Sequence, residues 1–343
     1  MNKQPFFSFI IPSYNSALVL KNAVASVLKQ SFESFEVIII NDGSTDETET
    51  YLKTLQDARI RFFTITNSGP NFARHYGIME AKGQYLGFID ADDDIKDDLL
   101  IVAHDHIVKH NLDLFMFEYT SVDKNHRKIR QNQNPFNADR LFSPSDYQDF
   151  VKMCITSGHF NPLWKKLIRR ELLDQYPLVD RDIRFGEDQL VSLSLIPSVQ
   201  RALYLNESYY YYYRGPSSLS NTQTTSAFKA LKMIDERIQT LYQLVKADRE
   251  TERAIKKQHL VYVFLILVGL GHNKKISFKE FKRCLTEYLE TNYYHFNLSE
   301  VQNHSSSLNS RQKKLLTTLF RKRYLRLYFL IKFFWFLKRF KKK

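Results

Sequence analysis

Gln84-Tyr-Leu-Gly-Phe-Ile-Asp90-Ala-Asp92-Asp93-Asp94 is an apolar run of strand length that ends in four carboxylates within five residues. Such groups repel one another unless a cation or a set of hydrogen-bond donors sits among them. Tyr85, Leu86, Phe88 and Ile89 have the apolar continuity of a buried strand, and open parallel α/β sheets collect ligands just beyond the carboxyl ends of their strands. Hard oxygen ligands at that place favour Mg²⁺ or Mn²⁺ over zinc. A solvated acidic loop, with Asp97 and Asp98 in the first turn of a following helix, accounts for the same residues. On this stretch alone both readings stand.

Upstream, the same pattern repeats. Phe6 to Ile11 is a short strand stopped by Pro12, and Leu18, Val19, Ala23, Val24, Val27 and Leu28 recur at helical spacing. Val37 to Ile40 is a second buried strand ending in Asn41-Asp42-Gly43. Ser44 and Glu47 form a capping-box pair, which predicts a helix start there. Asp42 thus faces the same sheet edge as Asp92. Ile60 to Thr66 gives a third strand, and Pro70 opens the helix that precedes Gly83. A helix from about Asp97 to Lys109 and a strand at Leu114 to Tyr119 follow. This alternation over 120 residues predicts a mostly parallel sheet with helices on both faces.

Beyond it the pattern changes. Asp123 to Pro144 is polar and reads as a loop or domain boundary. Ser145 to Ile155, Leu163 to Tyr176 and Gly186 to Leu195 read as helices, and Tyr209 to Tyr213 as a strand. Residues 226 to 296 read as helical. The apolar stretch His259 to Leu270 within them is too short to span a bilayer and reads as a buried helix. The expected divisions are 1–120, 121–225, 226–310 and 311–343.

The chain of 343 residues carries 50 Lys and Arg against 37 Asp and Glu. Thirteen of those basic residues lie in 311–343, which holds no acid, so the rest of the chain is balanced at 37 each. A neutral body argues against a nucleic-acid groove. Cys154 and Cys284 are the only cysteines, too few for a disulfide framework. With no signal-peptide pattern before the first strand, a cytoplasmic setting is expected. On a helical wheel Phe320, Tyr324, Leu327, Tyr328, Ile331, Phe334 and Trp335 fall on one face. Arg321, Lys322, Arg323, Arg326, Lys332 and Arg339 fall on the other, while Lys338 intrudes on the apolar one. The expectation is a helix lying on an anionic membrane at the inner face of the cell membrane.

Several motifs are absent: no Gly-x-Gly-x-x-Gly follows the first strand, and there is no Walker loop, Gly-x-Ser-x-Gly or His-Glu-x-x-His. What is present resembles the family 2 glycosyltransferases, which have the nucleotide-sugar-binding fold called GT-A. The resemblance rests on Phe9-Ile-Ile-Pro-Ser-Tyr-Asn15, Val37-Ile-Ile-Ile-Asn-Asp42-Gly-Ser-Thr-Asp46, Asn67-Ser-Gly69 with Ala73-Arg74, Ala81-Lys-Gly-Gln-Tyr-Leu86, and Phe88-Ile-Asp90-Ala-Asp92-Asp93. Looser matches are Leu163-Trp-Lys-Lys-Leu, Gly186-Glu187-Asp188 and Tyr211-Tyr-Tyr-Arg214 with Ser218 and Ser220. Asn41 stands where Asp is frequent, and His75 where Asn is frequent.

The resemblance implies an inverting, metal-dependent transfer from a UDP-sugar to a hydroxyl of a glycan or lipid-linked acceptor. It implies Asp42 on the uracil ring, Asp90 on the ribose and Asp92 as ligand of Mn²⁺ or Mg²⁺. Pro12, Tyr14 and Ala91 would line the donor, Arg74 and Arg214 would add positive charge at its diphosphate, and Ser218 or Ser220 hydrogen bonds. Asp188 would be the general base, with Glu187 its neighbour; both also suit the first turn of a helix. Trp164 and the tyrosine run could form an acceptor platform or belong to the core. Two other classes compete: a sugar-phosphate nucleotidyltransferase, disfavoured by Pro12-Ser-Tyr-Asn15 in place of a Gly-rich first loop, and a non-catalytic binder of anionic surfaces.

Overall fold

The computed structural model describes residues 4–123, 127–131, 138–174, 185–213, 226–246, 248–273, 276–291, 298–304, 306 and 308–340. The chain divides into two compact units. The first holds residues 1–150, 161–181 and 194–216; the second holds 151–160, 182–193 and 217–343.

The first unit is built on one sheet. Its elements begin with β1 (Phe7–Ser13), α1 (Leu20–Leu28), β2 (Phe35–Asn41), α2 (Thr48–Lys53), β3 (Ile60–Thr64), α3 (Pro70–Glu80), β4 (Tyr85–Phe88), β5 (Asp94–Ile95) and α4 (Leu99–His110). They continue with β6 (Leu114–Val122), β7 (Lys128–Gln131) and β8 (Arg140–Phe142), then α5 (Tyr147–Thr156), β9 (Lys166–Arg169), α6 (Glu187–Leu195) and β10 (Ala202–Tyr213); α5 and α6 each run into the second unit. The strand order is β3-β2-β1-β4-β9-β6-β10-β5, with β7 on β6 and β8 on β10. β1, β2, β3 and β4 are parallel, and β10 lies parallel to β6. β9 runs antiparallel between β4 and β6, so the expected parallel arrangement holds for β1 to β4 and the sheet as a whole is mixed. β2 is buried along its whole length. That fits a central strand covered on both faces, with Glu36 satisfied there by Ser8 Oγ at 2.7 Å, the Lys82 amide at 2.6 Å and Arg61 at 2.9 Å.

Three sequence expectations are corrected. The polar stretch 123–144 contains the strands β7 and β8. The helix expected over Leu163 to Tyr176 is a short 3₁₀ turn, the strand β9 and a second 3₁₀ turn across its described part. Leu167 and Ile168 point to opposite faces and both are buried, a strand pattern too short to separate from a helix by period alone. Finally, α2 begins at Thr48 and Ser44 does not cap it. Asp46 instead accepts from the Thr48 amide at 3.0 Å and the Ala17 amide at 3.2 Å, while Ser44 Oγ accepts from the Asn15 amide at 2.9 Å. The hydroxyl joins the loops after β1 and β2.

The second unit is helical. Beyond the ends of α5 and α6 it contains α7 (Ser226–Tyr242), α8 (Arg249–His272), α9 (Phe278–Thr291), α10 (Leu298–Asn303), α11 (Ser310–Phe320) and α12 (Tyr324–Phe340). Leu260, Val263, Ile266, Leu267 and Leu270 of α8 form the centre of its core. By length and composition Arg249–Gly271 could cross a membrane, yet half of its most apolar window is buried inside the protein. His259 in that helix bonds Asp235 at 3.0 Å and the Tyr288 hydroxyl at 2.9 Å, all three buried.

Candidate functional site

β2 and β4 end at the same edge of the sheet, and each delivers a carboxylate. Asp42 follows β2 and is 4% exposed. Its two oxygens accept the backbone amides of Ser68 at 2.7 Å and Gly69 at 2.8 Å. Gly69 reaches this position with φ of 89°, a backbone conformation open to glycine and strained for other residues. Asp42 therefore closes the loop into α3. A carboxylate carries about four acceptor positions, and these two amides take two of them. The preceding Asn41 is buried, takes the Ser44 amide on Oδ1 at 3.1 Å and gives Nδ2 to Thr64 Oγ1 at 3.3 Å.

On the β1 side, Pro12 is half-buried inside the strand and Tyr14 is 52% exposed just past it. Asn15 adopts φ of 50° and accepts the Thr45 amide on Oδ1 at 2.8 Å. The loops after β1 and β2 are thus held to each other beside Asp42.

The acidic stretch after β4 divides its labour. Asp93 is fully buried; it accepts the Tyr210 hydroxyl and the Tyr213 amide, each at 2.8 Å. That Tyr210 hydroxyl in turn accepts the Asp90 amide at 3.1 Å. Asp94 accepts the Tyr213 hydroxyl at 2.8 Å. Two of the four carboxylates are therefore fastened to β10 through their side chains, and Asp90 and Asp92 are not among them. Arg74, 5% exposed, donates to Asp90 at 2.9 Å. Ala91 is half-buried between the two, and Asp92 is exposed. Although Asp92 as a whole is exposed, the protein packed around its carboxyl displaces part of its water, and this desolvation, and then the charge of Asp90, push that carboxyl above its ordinary value. Burial and the charges of Asp90 and Asp92 do so more strongly for Asp93.

Among the described residues no group of three or more His, Cys, Asp or Glu is arranged to hold a metal. Magnesium-type ions are commonly held by one or two carboxylates together with substrate phosphates. Asp92, exposed at the end of β4 with the charge of Asp90 beside it, is one such carboxylate. Its chemistry fits a cation that arrives with a diphosphate.

Trp164 stacks on Tyr210 with centroids 4.5 Å apart and on Tyr212 at 5.8 Å, and meets Tyr119 edge-on at 5.0 Å. Tyr209 and Tyr210 are buried; Tyr211, Tyr212 and Tyr213 are half-buried. In the second unit, Glu187 and Asp188 form the first turn of α6, entered from Gly186. Arg214, Ser218 and Ser220 lie outside the described residues. Sequence reasoning missed the attachment of Asp93 and Asp94 to β10, and also Lys165, which is 2% exposed and paired with Glu118 at 3.0 Å. Acceptor-poor tyrosines in a strand, set against surplus carboxylates in a loop, were a usable signal for the first.

A mixed sheet with carboxylates at the carboxyl ends of two parallel strands, followed by a helical unit, is the architecture of a GT-A-type transferase, and the comparisons with known proteins agree. The chain belongs to Glycosyl transferase family 2, whose sequence model matches residues 8–176, and it is a nucleotide-sugar-dependent glycosyltransferase. It is similar to the uncharacterized glycosyltransferase EpsJ of Bacillus subtilis, 30% identical over 244 residues that cover 70% of this chain and 68% of that protein. It is 27% identical to the glycosyltransferase GlyA of Streptococcus pneumoniae over 80% of this chain but spans only 40% of GlyA. The succinoglycan biosynthesis protein ExoO of Rhizobium meliloti is 26% identical over 78% of each chain. The crystal structure of S. aureus TarS 1–349 with UDP-GlcNAc shares the fold, with a TM-score of 0.65 at 19% identity over 95% of this chain and 90% of that one.

Proposed function

We propose that this glycosyltransferase takes its sugar from a UDP-sugar and places it, with inversion, on a hydroxyl of a glycan or lipid-linked acceptor during assembly of a bacterial surface polysaccharide. The observation that carries this reading is the division of carboxylates at one sheet edge, with Asp92 exposed, Asp42 holding the loop into α3 and Asp93 withdrawn onto β10. Asp42 has acceptor capacity left for the N–H of a uracil ring. Asp90, backed by Arg74, would accept a ribose hydroxyl, and Asp92 would hold Mn²⁺ or Mg²⁺. When bound, that cation supplies charge compensation for the departing diphosphate. Pro12, Tyr14 and Ala91 would line the nucleotide, with Arg214, Ser218 and Ser220 on its phosphates.

In the reaction the acceptor oxygen attacks the anomeric carbon, its proton passes to a carboxylate, and the bond to the diphosphate breaks with the electron pair leaving on UDP. Asp188 is the base in this reading, with Glu187 held beside it in the same helical turn. Positioned bases contribute about 10²- to 10⁴-fold. The succinoglycan assignment of one relative supports the polysaccharide setting, and the basic residues of 311–343 support a place on the cytoplasmic face of an anionic membrane.

The test is release of UDP from a panel of UDP-sugars with Mn²⁺, repeated in excess EDTA and with Asp188→Asn. Turnover with at least one donor should need the metal and fall by about 10²- to 10⁴-fold in the variant while donor binding persists. Full turnover in EDTA would remove the metal, and an unimpaired Asp188→Asn would leave that residue as a helix-terminal acid.

A further inference from the structure

The basic segment does not present the face that its helical wheel suggests. Leu315, Leu316 and Leu319 of α11 and Leu327 and Ile331 of α12 are buried in the core of the second unit. Phe320, Tyr324, Tyr328 and Phe334 pack against that core. The Tyr328 hydroxyl donates to the Ile276 carbonyl at 3.2 Å and Lys332 to the Asn273 carbonyl at 2.7 Å. The face read from sequence as membrane-directed is therefore committed to the protein itself. Between the two helices the chain turns at Lys322 with φ of 54°.

A different stripe remains open. Leu325, Phe329 and Phe333 are 56%, 63% and 54% exposed and recur every four residues, on one side of α12. Arg321, Lys322, Arg323 and Arg326 are exposed at the same end. We propose that this stripe, with the four cations beside it, is the surface by which the chain sits on an anionic lipid bilayer. The inference rests on the membrane reading given above and names the side chains that perform it.

The charge decides the occupant. With thirteen basic residues and no acid in 311–343, two copies meeting through this face would bring like charges together, whereas an anionic leaflet attracts each of them. Three large apolar side chains gain nothing from a phosphate backbone but gain by leaving water for the acyl boundary. α12 has 17 residues, about 25 Å at the helical rise, short of the roughly 30 Å hydrocarbon core. One of its faces is also held by protein. It would lie along the surface and not cross it.

Because α11 and α12 contribute buried side chains, deleting 311–343 would damage the second unit, and the test uses surface substitutions in the full chain. Vesicles of phosphatidylcholine alone and with phosphatidylserine are sedimented with three proteins. These are the intact chain, one with Leu325→Ser, Phe329→Ser and Phe333→Ser, and one with Arg321→Gln, Lys322→Gln, Arg323→Gln and Arg326→Gln. The intact chain should bind the anionic vesicles and not the neutral ones. The apolar variant should bind on the order of 100-fold more weakly, and the charge variant about fivefold more weakly for each cation removed. Both should hydrolyse a UDP-sugar in solution as the intact chain does. If the intact chain ignores anionic vesicles, the membrane reading falls. If it binds and the apolar variant binds equally, the membrane reading survives and this stripe is the wrong surface. If the intact chain is instead a dimer that the apolar variant dissociates, a second copy is the occupant.

Discussion

Tyr210 uses its single hydroxyl twice, as donor to Asp93 and as acceptor for the Asp90 amide. It therefore sets both the charge distribution and the backbone course of the loop that presents Asp92. Tyr210→Phe leaves a buried carboxylate and an amide each short of a partner, a loss of about 1–3 kcal/mol in stability by denaturant unfolding. If the hydroxyl also positions the ligand-side carboxylates, the Mn²⁺ concentration that half-saturates UDP release should rise in this variant. Tyr213→Phe, which removes the hydroxyl serving Asp94, should leave that concentration near the wild-type value. A destabilised Tyr210→Phe with an unchanged metal requirement would reduce the hydroxyl to a structural part.

Among the elements, β9 joins the two halves of the sheet, and Lys165 in the turn before it forms a buried ion pair with Glu118 of β6. Lys165 and Glu118 are each 2% exposed and 3.0 Å apart, and burial lowers the Lys165 pKa against the opposing pull of Glu118. The Nζ also lies 5.7 Å from the ring centres of both Tyr119 and Tyr204. Lys165→Met alone strands a buried carboxylate and should cost about 3–5 kcal/mol in urea unfolding, whereas Lys165→Met with Glu118→Leu should recover most of that loss. Additive costs in the double variant would mean that the two charges do not depend on each other. This region also shows where sequence reading stops. β1, β2, β4 and α3 were legible because long apolar runs, Pro70 and strand-end carboxylates carry local signals. β9 was not, because four residues that begin with a buried lysine look like the start of an amphipathic helix until β4 and β6 are known to flank them. The same holds for α12: a wheel shows that Leu327 and Ile331 share a face, but not that the face is already occupied. Asp42 and Asp92 were legible as a pair at one edge, while the withdrawal of Asp93 depended on β10, some 120 residues away.

At the scale of the whole molecule, acid should act on the helical unit through a specific carboxylate. Asp248 caps α8 through the Thr251 amide and pairs with Lys152 at 2.7 Å. The hydrogen bond from Lys152, and then those from Thr251, hold its carboxyl down at about 2 from an ordinary 3.8. A depressed folded-state pKa means that this contribution is fully present above about 3.8 and fades as the pH falls toward about 2. Asp248→Asn keeps a competent cap but removes the charge. Its helical signal in circular dichroism should therefore start lower in urea at neutral pH and lose less of its urea resistance over that acid range; identical pH profiles would exclude the pair. β10 raises a matter of timing. It pairs with β6, β8 and β5 and supplies the partners of Asp93 and Asp94, yet it is the last strand of the sheet to leave the ribosome. At about 5–20 residues per second, the acidic loop waits on the order of ten seconds for its tyrosines. A nascent chain stalled before β10 would expose an unfinished sheet edge and a knot of unscreened carboxylates, the state in which chaperones, proteases or a passing divalent ion would meet it first.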